Sequence, residues 1–404
     1  MKADWVVKPL AEVCQIKPPK AEARNKISGN EMVSFVPMEC LGIDQKILVP
    51  MQTRPLSEVA GSYTYFADGD VLLAKITPCF ENGKLGIAAN LVNGIGFGSS
   101  EYIVFRPDTS LNNEWLYYFL ARESFRMEGA ERMTGAVGHK RVAKDFIQTY
   151  PIPVPPLPEQ QRIITILDEA FDGIATAKAN AEKNLQNAQE LVEESIQLLF
   201  SDDSAVHAEA KSLDELCEMI VDCEHKTAPT QEHGIPSIRT PNIGKGRLLL
   251  DGVYRVSEDT YKEWARRAEP QGGDLILARE APAGNVAVIP DGMKVCLGQR
   301  TVLVRPKRSV FQPDYLAHLL LRKNSQRRML AHSRGATVQH VNLKDIRAFQ
   351  ISVVPSLENQ RDVMERVDDL LEHESTLTRC YERKITALDE LKKALLHRAF
   401  NGDL

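Results

Sequence analysis

The sequence predicts an α+β chain: two pseudo-repeated α/β domains separated by two long antiparallel, coiled-coil-like helices. Three observations carry this reading. They are an internal repeat at a spacing of 200 residues, short apolar runs bounded by turn residues, and two long proline-free stretches. The expected division is a first globular domain at 1–155, a first helix at 156–204, a second globular domain at 205–355 and a second helix at 356–404.

The repeat fixes the architecture. Glu114 to Leu157 matches Asp314 to Leu357 at a constant offset of 200. Trp115 meets Tyr315, Leu120 meets Leu320, Arg122 meets Arg322, Lys144-Asp145 meets Lys344-Asp345, and Pro155 meets Pro355. Upstream, "GDVLLAK" (69–75) matches "GDLILAR" (273–279), "IVFRP" (103–107) matches "VLVRP" (302–306), and "LAEVC" (10–14) matches "LDELC" (213–217). The changing offset places insertions in loops between shared elements. Two long copies make a duplication, because a solenoid needs more and shorter units.

Within each copy, apolar runs of four to seven residues ending in Gly, Pro or Asn favour strands. They are "GDVLLAKI", "KLGIAANL" and "EYIVFRP" in the first copy, and "GDLILARE", "NVAVIP" and "TVLVRP" in the second. One helical stretch per copy follows, "NEWLYYFLARESFRMEG" and "PDYLAHLLLRKNSQRRML".

Each copy then leaves through prolines, "PIPVPPLPEQQRI" (151–163) and "ISVVPSLENQRDV" (351–363), into a stretch without proline. Proline ends the β-region and opens a helix at a position where a missing N–H costs nothing. In the second stretch, positions 363, 367, 370, 374, 377, 381, 384, 388, 391 and 395 alternate steps of four and three, and eight of these ten are apolar. That is a heptad seam. In the first, Ile174, Ala181, Leu185, Ala188, Val192 and Leu199 keep the same stepping, with Lys178 and Ser195 interrupting it. At about 1.5 Å per residue each helix runs roughly 60 Å. A helix of that length with one apolar stripe must bury the stripe, and the other helix is the nearest partner.

Hydrophobic content of 43% and charge of 26% are those of an ordinary globular protein. No apolar run approaches the ~18–20 residues of a membrane span. The start, "MKADWVVKPLAEV", lacks the apolar core of a signal peptide, so a cytoplasmic location is expected. Seven cysteines without framework spacing fit reduced thiols. The net charge of −5 divides as zero over 1–155, −7 over 156–204, +5 over 205–355 and −3 over 356–404. The acid lies in the helical stretches, so overall acidity does not exclude nucleic acid.

Over nearly its whole length the chain resembles the specificity subunit of type I restriction–modification systems (HsdS). The motifs are the exit "PPLPEQQRI", its counterpart "PSLENQR", the segment "ELVEESIQLLF" and the ending "LKKALLHRAFNGDL". The resemblance implies two target-recognition domains, each reading half of a split double-stranded DNA site, held apart by two helices. It implies no catalytic site and no cofactor on this chain. S-adenosylmethionine would be carried by two methyltransferase subunits, and ATP and Mg by two restriction/translocase subunits. No membrane partner is implied. The two copies differ at "GAVGHKRV" and "GATVQHVN", which places residue-by-residue transfer between them in question.

DNA sequence is read by Arg, Lys, Asn, Gln and His on groove-facing elements. The candidates before each exit are His139, Lys140 and Arg141 in the first copy and Gln339, His340 and Asn342 in the second. Each cluster follows a Gly-Ala pair and leads into a short helix near Lys144 or Lys344. The Gly-rich "SIRTPNIGKGR" adds Arg239, Asn242, Lys245 and Arg247. Lys75 and Arg279 share one strand-end place, with structural ion pairing as the alternative, and Arg106 and Arg305 read as structural. Arg266-Arg267 and Arg327-Arg328 are basic surface pairs suited to tracking phosphates or to plain solvation. Acid on the first helix, at Glu190, Glu193 and Glu194, is expected to dock the methyltransferase subunits, with a solvated outer face as the alternative.

Other motifs carry less. "GIGFGS" (94–99) leads into a strand, whereas a dinucleotide fingerprint follows a strand and opens a helix. There is no G-x-x-x-x-G-K-[ST] loop and no N/D-P-P-Y/F tetrad. Cys217, Cys223, His225 and His233 lack the C-x₂₋₄-C spacing of a zinc site. Asp274 and Glu280 beside Arg279 lack the carboxylate-x-Lys pattern of a metal nuclease. The rival readings are a nuclease with a divergent site and a coiled-coil scaffold without DNA contact. Mg²⁺-dependent cutting would reveal the first, and loss of salt-dependent DNA retention the second.

Overall fold

The computed structural model describes residues 5–50, 52–136, 138–200, 209–331, 340–352 and 354–404. They form two compact units, Met1–Lys183 with Tyr381–Leu404, and Asn184–Cys380.

In the first unit a five-stranded sheet runs in the order Cys14–Ile16, Tyr102–Pro107, Val71–Ala74, Leu85–Ala88, Ile47–Leu48. Its pairs are antiparallel except the last. A four-stranded sheet runs Gln52–Pro55, Met32–Val36, Ile95–Gly98, Thr64–Ala67. The strand "VLLA" has no polar face because it is covered on both sides. Val71 and Leu73 enter a core with the helices, while Leu72 and Ala74 enter a second core with Phe66 and Val36.

The second unit repeats this plan with fewer edge strands. Its main sheet runs Cys217–Asp222, Thr301–Pro306, Leu275–Ala278, Val286–Val288, and its second sheet Arg255–Val256, Ile235–Ile238, Cys296–Leu297. Leu275 and Leu277 face the helices; Ile276 and Ala278 face the other way. The six apolar runs read as strands from the sequence are all strands.

The single helical stretch expected in each copy is two helices, Asn113–Leu120 then Glu123–Glu131, and Pro313–Leu321 then Lys323–Leu330. Arg122 and Arg322 break them with extended backbone, ψ 138° and 141°. Side chains from the following helix take the freed carbonyls: Arg126 donates to Ala121 O and Gln326 to Leu320 O.

The long helices are Leu157–Leu199 and Leu357–Asn401. In the first unit the start of one packs antiparallel to the end of the other. Arg162 Nη2 donates to Leu404 O at 2.8 Å, and Lys178 Nζ meets Asp389 Oδ1 at 2.8 Å. The Lys178 interruption of the first seam is therefore an interhelical ion pair. Phe400 enters the first core against Trp115, ring centres 4.4 Å apart. In the second unit Phe200, at the end of the other helix, lies 5.0 Å from Tyr315 in the same way. Val363, Met364 and Val367 join that core with Ile196 and Leu199.

One detail of the second seam differs from the expected stepping. Leu377, Lys384 and Leu391 are exposed, and the covered face passes instead through Thr378, Ile385 and Lys392. Two successive steps of four, Leu370 to Glu374 to Thr378, relax the strict heptad toward the repeat of a straight helix. Among the described residues no helix is long and apolar enough to cross a membrane.

Candidate nucleic-acid interface

In the first unit the chain leaves the Val71–Ala74 strand at Lys75 and meets two other segments there. Lys75 N donates to Glu101 O at 2.9 Å, Val142 N to Lys75 O at 2.9 Å, and Thr77 N to Lys140 O at 3.0 Å. Arg141 also exchanges both backbone hydrogen bonds with Thr134, at 2.8 and 3.0 Å. The loop between them turns at Gly135 (φ 125°), where a Cβ would lie 2.9 Å from His139 O. The result is a pinned loop that presents His139 and Lys140 to solvent. The Arg141 guanidinium grips Glu101 through Nε (2.9 Å) and Nη2 (2.8 Å). Lys75 Nζ sits 3.9 Å from the same carboxylate and donates to Ser100 O at 2.9 Å. The Arg141 hydrogen bonds, with Lys75 nearby, hold the Glu101 carboxyl below its ordinary 4.5 against the opposing pull of burial.

The second unit builds the corresponding corner. Arg279 N donates to Arg300 O at 2.9 Å, and Val341 N to Arg279 O at 3.0 Å. The Arg279 guanidinium is committed inward: Nη1 to Asp222 Oδ2 at 2.7 Å, Nε to Val341 O at 3.0 Å, and Nη2 to His340 Nε2 at 2.9 Å. His340 Nδ1 lies 2.8 Å from Glu280 Oε1, and Arg300 Nη1 lies 2.6 Å from Glu280 Oε2. A guanidinium only donates, so His340 Nε2 accepts here and Nδ1 carries the proton toward Glu280. Asn342 donates to Asp345 Oδ2 at 3.1 Å at the start of the Leu343–Arg347 helix. Gln339 lies outside the described residues.

These contacts correct the alignment of the two copies. Leu10 N donates to Tyr150 O as Leu213 N does to Phe349 O. Pro9 pairs with Pro151 as Ser212 pairs with Gln350. Between Val142/Val341 and Ile152/Ile351 the true offset is 199, returning to 200 at Pro155/Pro355. The matched Lys144-Asp145 and Lys344-Asp345 are thus one residue out of structural register, and the counterpart of Arg141 is His340.

The remaining candidates separate. Arg239 is exposed, stacks over Tyr254 at 4.2 Å, and runs past Gly298 beside the turn that carries Arg300. Asn242 spends its amide on the loop itself, accepting from Arg239 N at 3.1 Å and donating to Leu249 O at 3.2 Å. Arg247 is exposed. Lys245 instead reaches the first long helix, with Nζ 3.5 Å from Glu193 Oε1. Glu194 pairs with Lys323, and Glu190 accepts from Gln186 Nε2 at 2.8 Å. A residue read as a DNA contact and one read as a partner contact therefore hold each other. Arg267 pairs with Glu224 at 3.2 Å, and Arg328 donates to Gln350 O at 2.7 Å.

Arg106 and Arg305 are structural. Arg106 takes Asp70 through Nε (2.7 Å) and Nη2 (2.8 Å), and Arg305 takes Asp274 at 2.8 and 2.7 Å. The glycines of "GIGFGS" serve packing: a Cβ on Gly96 would strike the Phe66 ring and one on Gly98 would lie 2.3 Å from Val36 O. Among the described residues no group of three or more His, Cys, Asp or Glu is arranged to hold a metal. Cys217 is buried, its thiol pushed up to about 12 mainly by desolvation. Sequence reasoning passed over Glu101 and Arg300 because neither stands in a cluster; the signal was their place directly before the repeated third strand.

Twin α/β units, each with a basic corner built on a carboxylate, define a tandem-domain protein. The chain belongs to the type I restriction modification DNA specificity domain family, whose profile matches it twice, over residues 2–186 and 206–386. It is 36% identical over 191 residues to the EcoEI type I restriction enzyme specificity subunit of Escherichia coli, covering 47% of this chain and 31% of that one. The EcoAI specificity subunit of Escherichia coli gives 35% over 191 residues, 47% and 32%. The matched part thus spans about a third of the length of these relatives. Two solved structures share the fold. One, described as the structural basis of complex assembly and conformational transition of the type I R-M system, has a TM-score of 0.80 at 20% identity, covering 100% of this chain and 99% of that one. The HsdS subunit from Thermoanaerobacter tengcongensis has 0.66 at 18%, covering 100% and 98%.

Proposed function

We propose that this chain is the non-catalytic DNA-specificity and assembly subunit of a type I restriction–modification complex. Each unit reads one half of an asymmetric bipartite site. The long helices set the interval between the halves and dock two methyltransferase subunits, while S-adenosylmethionine, ATP and Mg belong to partner subunits. The observation that supports this best is the duplicated corner with unlike side chains. Arg141 on Glu101 and His340 with Arg300 on Glu280 present different donor sets from one backbone frame. Different donors read different base edges, so two unlike halves follow, whereas a symmetric dimer of one unit reads a palindrome.

Docking fits the solvent side of the first helix best. Among the described residues no basic side chain pairs with Glu190 there, and Leu191 stands exposed, whereas Glu193 and Glu194 already face Lys245 and Lys323. The test is to express the chain with its methyltransferase partner and map modified bases across the host genome. A split, non-palindromic motif is expected. A continuous palindrome, or modification without a motif, overturns the proposal.

A further inference from the structure

The two corners share a backbone frame but exchange their charges. In the first unit the acid stands on the turn, Glu101, and the incoming loop brings Arg141 to it. In the second unit the turn position belongs to Arg300, and the acid stands on the strand end, Glu280. There the incoming loop brings His340. Glu101 and Arg300 are equivalent because each backbone carbonyl accepts from the residue ending the central strand, Lys75 or Arg279, at 2.9 Å.

This rests on the reading that the units bind DNA. From the exchanged corners we infer that Glu101 and Glu280 are positioning residues for the DNA-reading side chains, and that Arg300 is a DNA contact of the second unit, taking the role of Arg141 from the place that Glu101 holds in the first.

Two independent observations carry it. First, a carboxylate on a DNA-facing surface repels phosphate, yet each unit keeps one here, and each is saturated by the basic side chains around it. Binding one edge of a guanidinium removes rotamer freedom from a long side chain and leaves further N–H groups directed outward. Arg300 is 63% exposed while its Nη1 stays on Glu280. Second, the turn from Gly298 to Thr301 is one residue shorter than its counterpart from Gly98 to Tyr102, and Arg300 absorbs the difference with φ at 65°. Glycine is the natural occupant of that conformation. An arginine there points to a use for its side chain, and Arg239 lies alongside the same turn.

The test uses the full chain assembled with its methyltransferase subunit. The probe is a duplex carrying the motif mapped for the wild-type complex, together with duplexes in which one half is scrambled. If the wild type yields no motif, the functional reading fails before this inference is reached. With a motif in hand, Arg300→Gly removes the guanidinium and relaxes the backbone, so the melting temperature should hold or rise. Binding to the intact duplex should fall tenfold or more, with no difference from wild type when the second half is scrambled. Glu280→Gln separates positioning from simple charge. Removing an acid from a DNA surface tightens binding to every sequence, whereas losing a positioner lowers discrimination at the second half by tenfold or more. Glu101→Gln should do the same at the first half only. Arg300→Gly binding within twofold of wild type, or Glu280→Gln binding more tightly with discrimination intact, overturns the inference.

Discussion

The side-chain carbonyl of Gln160 accepts the backbone N–H of Asn112 at 2.8 Å. Its amide nitrogen donates to Ser110 O at 2.9 Å and Pro155 O at 2.7 Å. Gln360 repeats all three bonds, with Gln312 N, Val310 O and Pro355 O at 2.9, 2.8 and 2.9 Å. Both glutamines are fully buried. The shared glutamine of the two exits is thus a latch that ties the first turn of a long helix to the loop before the domain helix. Each orphaned buried group costs about 1–3 kcal/mol. Gln160→Leu or Gln360→Leu should therefore destabilise its own unit by about 3 kcal/mol or more. Hydrogen exchange will read it as lost protection at the start of the corresponding long helix. Unchanged protection there would show that the latch is ornamental.

A second pairing predicts a larger penalty. Asp274 is buried, and both of its oxygens hold Arg305 while one also accepts from Gln271 N at 2.9 Å. Removing the charge from one partner of such a pair costs about 3–5 kcal/mol, because the other is left uncompensated. Asp274→Asn should show this loss in a denaturation curve of the whole chain, and Asp274→Asn with Arg305→Met should recover most of it. A double variant as unstable as the single one would mean that the cost lies in the turn and not in the charge.

His318 gives the second unit an acid-sensitive group at the place where the first unit has Tyr118. Burial holds the His318 imidazole below its ordinary 6.5, with Asp314 and Asp368 pulling the other way, and its ring stacks on Phe200 at 5.9 Å. A base whose folded value is depressed binds more protons when unfolded, so its contribution is present above about pH 6.5 and is lost as pH falls. Asp314, held above its ordinary 3.8 mainly by burial, acts in the opposite sense lower on the scale. Thermal stability should therefore decline as pH drops from about 6.5 toward 5, and His318→Phe should flatten that decline while keeping the stack. Equal slopes in the two proteins would remove His318 from the account.

Much of the architecture was legible because strong local signals agreed with one another. Six apolar runs became six strands, and the proline exits opened both long helices. The heptad stepping of the first helix matches its covered positions from Ile174 to Leu199. The helix break at Arg122 was invisible, because no proline or glycine marks it: the backbone turns extended at an arginine, and Arg126 closes the end of the preceding helix from the next one. The second seam drifted at Thr378, since side-chain period alone does not reveal where steps of four run together. At the site, clusters such as His139 to Arg141 were readable as basic loops, but Lys245 was not separable from them. Its direction toward Glu193 depends on a helix that the sequence brings in from 52 residues away. Glu101 and Arg300 are single residues whose meaning comes only from the backbone bonds that superpose them.

On the proposed function, two adjacent residues of the loop before the first exit should make two different kinds of DNA contact. Lys140 is exposed, and no ion pair holds its side chain among the described residues, whereas Arg141 is fixed on Glu101 at 2.8 and 2.9 Å. A free lysine neutralises phosphate wherever the duplex brings it, and a preset guanidinium suits a base edge. Lys140→Ala should weaken binding alike for all sequences, reducing the slope of log affinity against log salt by about 1. Arg141→Gln should leave most of that slope in place and relax the motif at one position of the first half, at a cost of about 1–3 kcal/mol in discrimination. The measurement is a salt titration of the assembled complex on the mapped duplex and on single-base variants of it. Reversal of the two outcomes, with Lys140 governing the motif and Arg141 the slope, would show that Glu101 holds its arginine against the backbone of the DNA and not toward its bases.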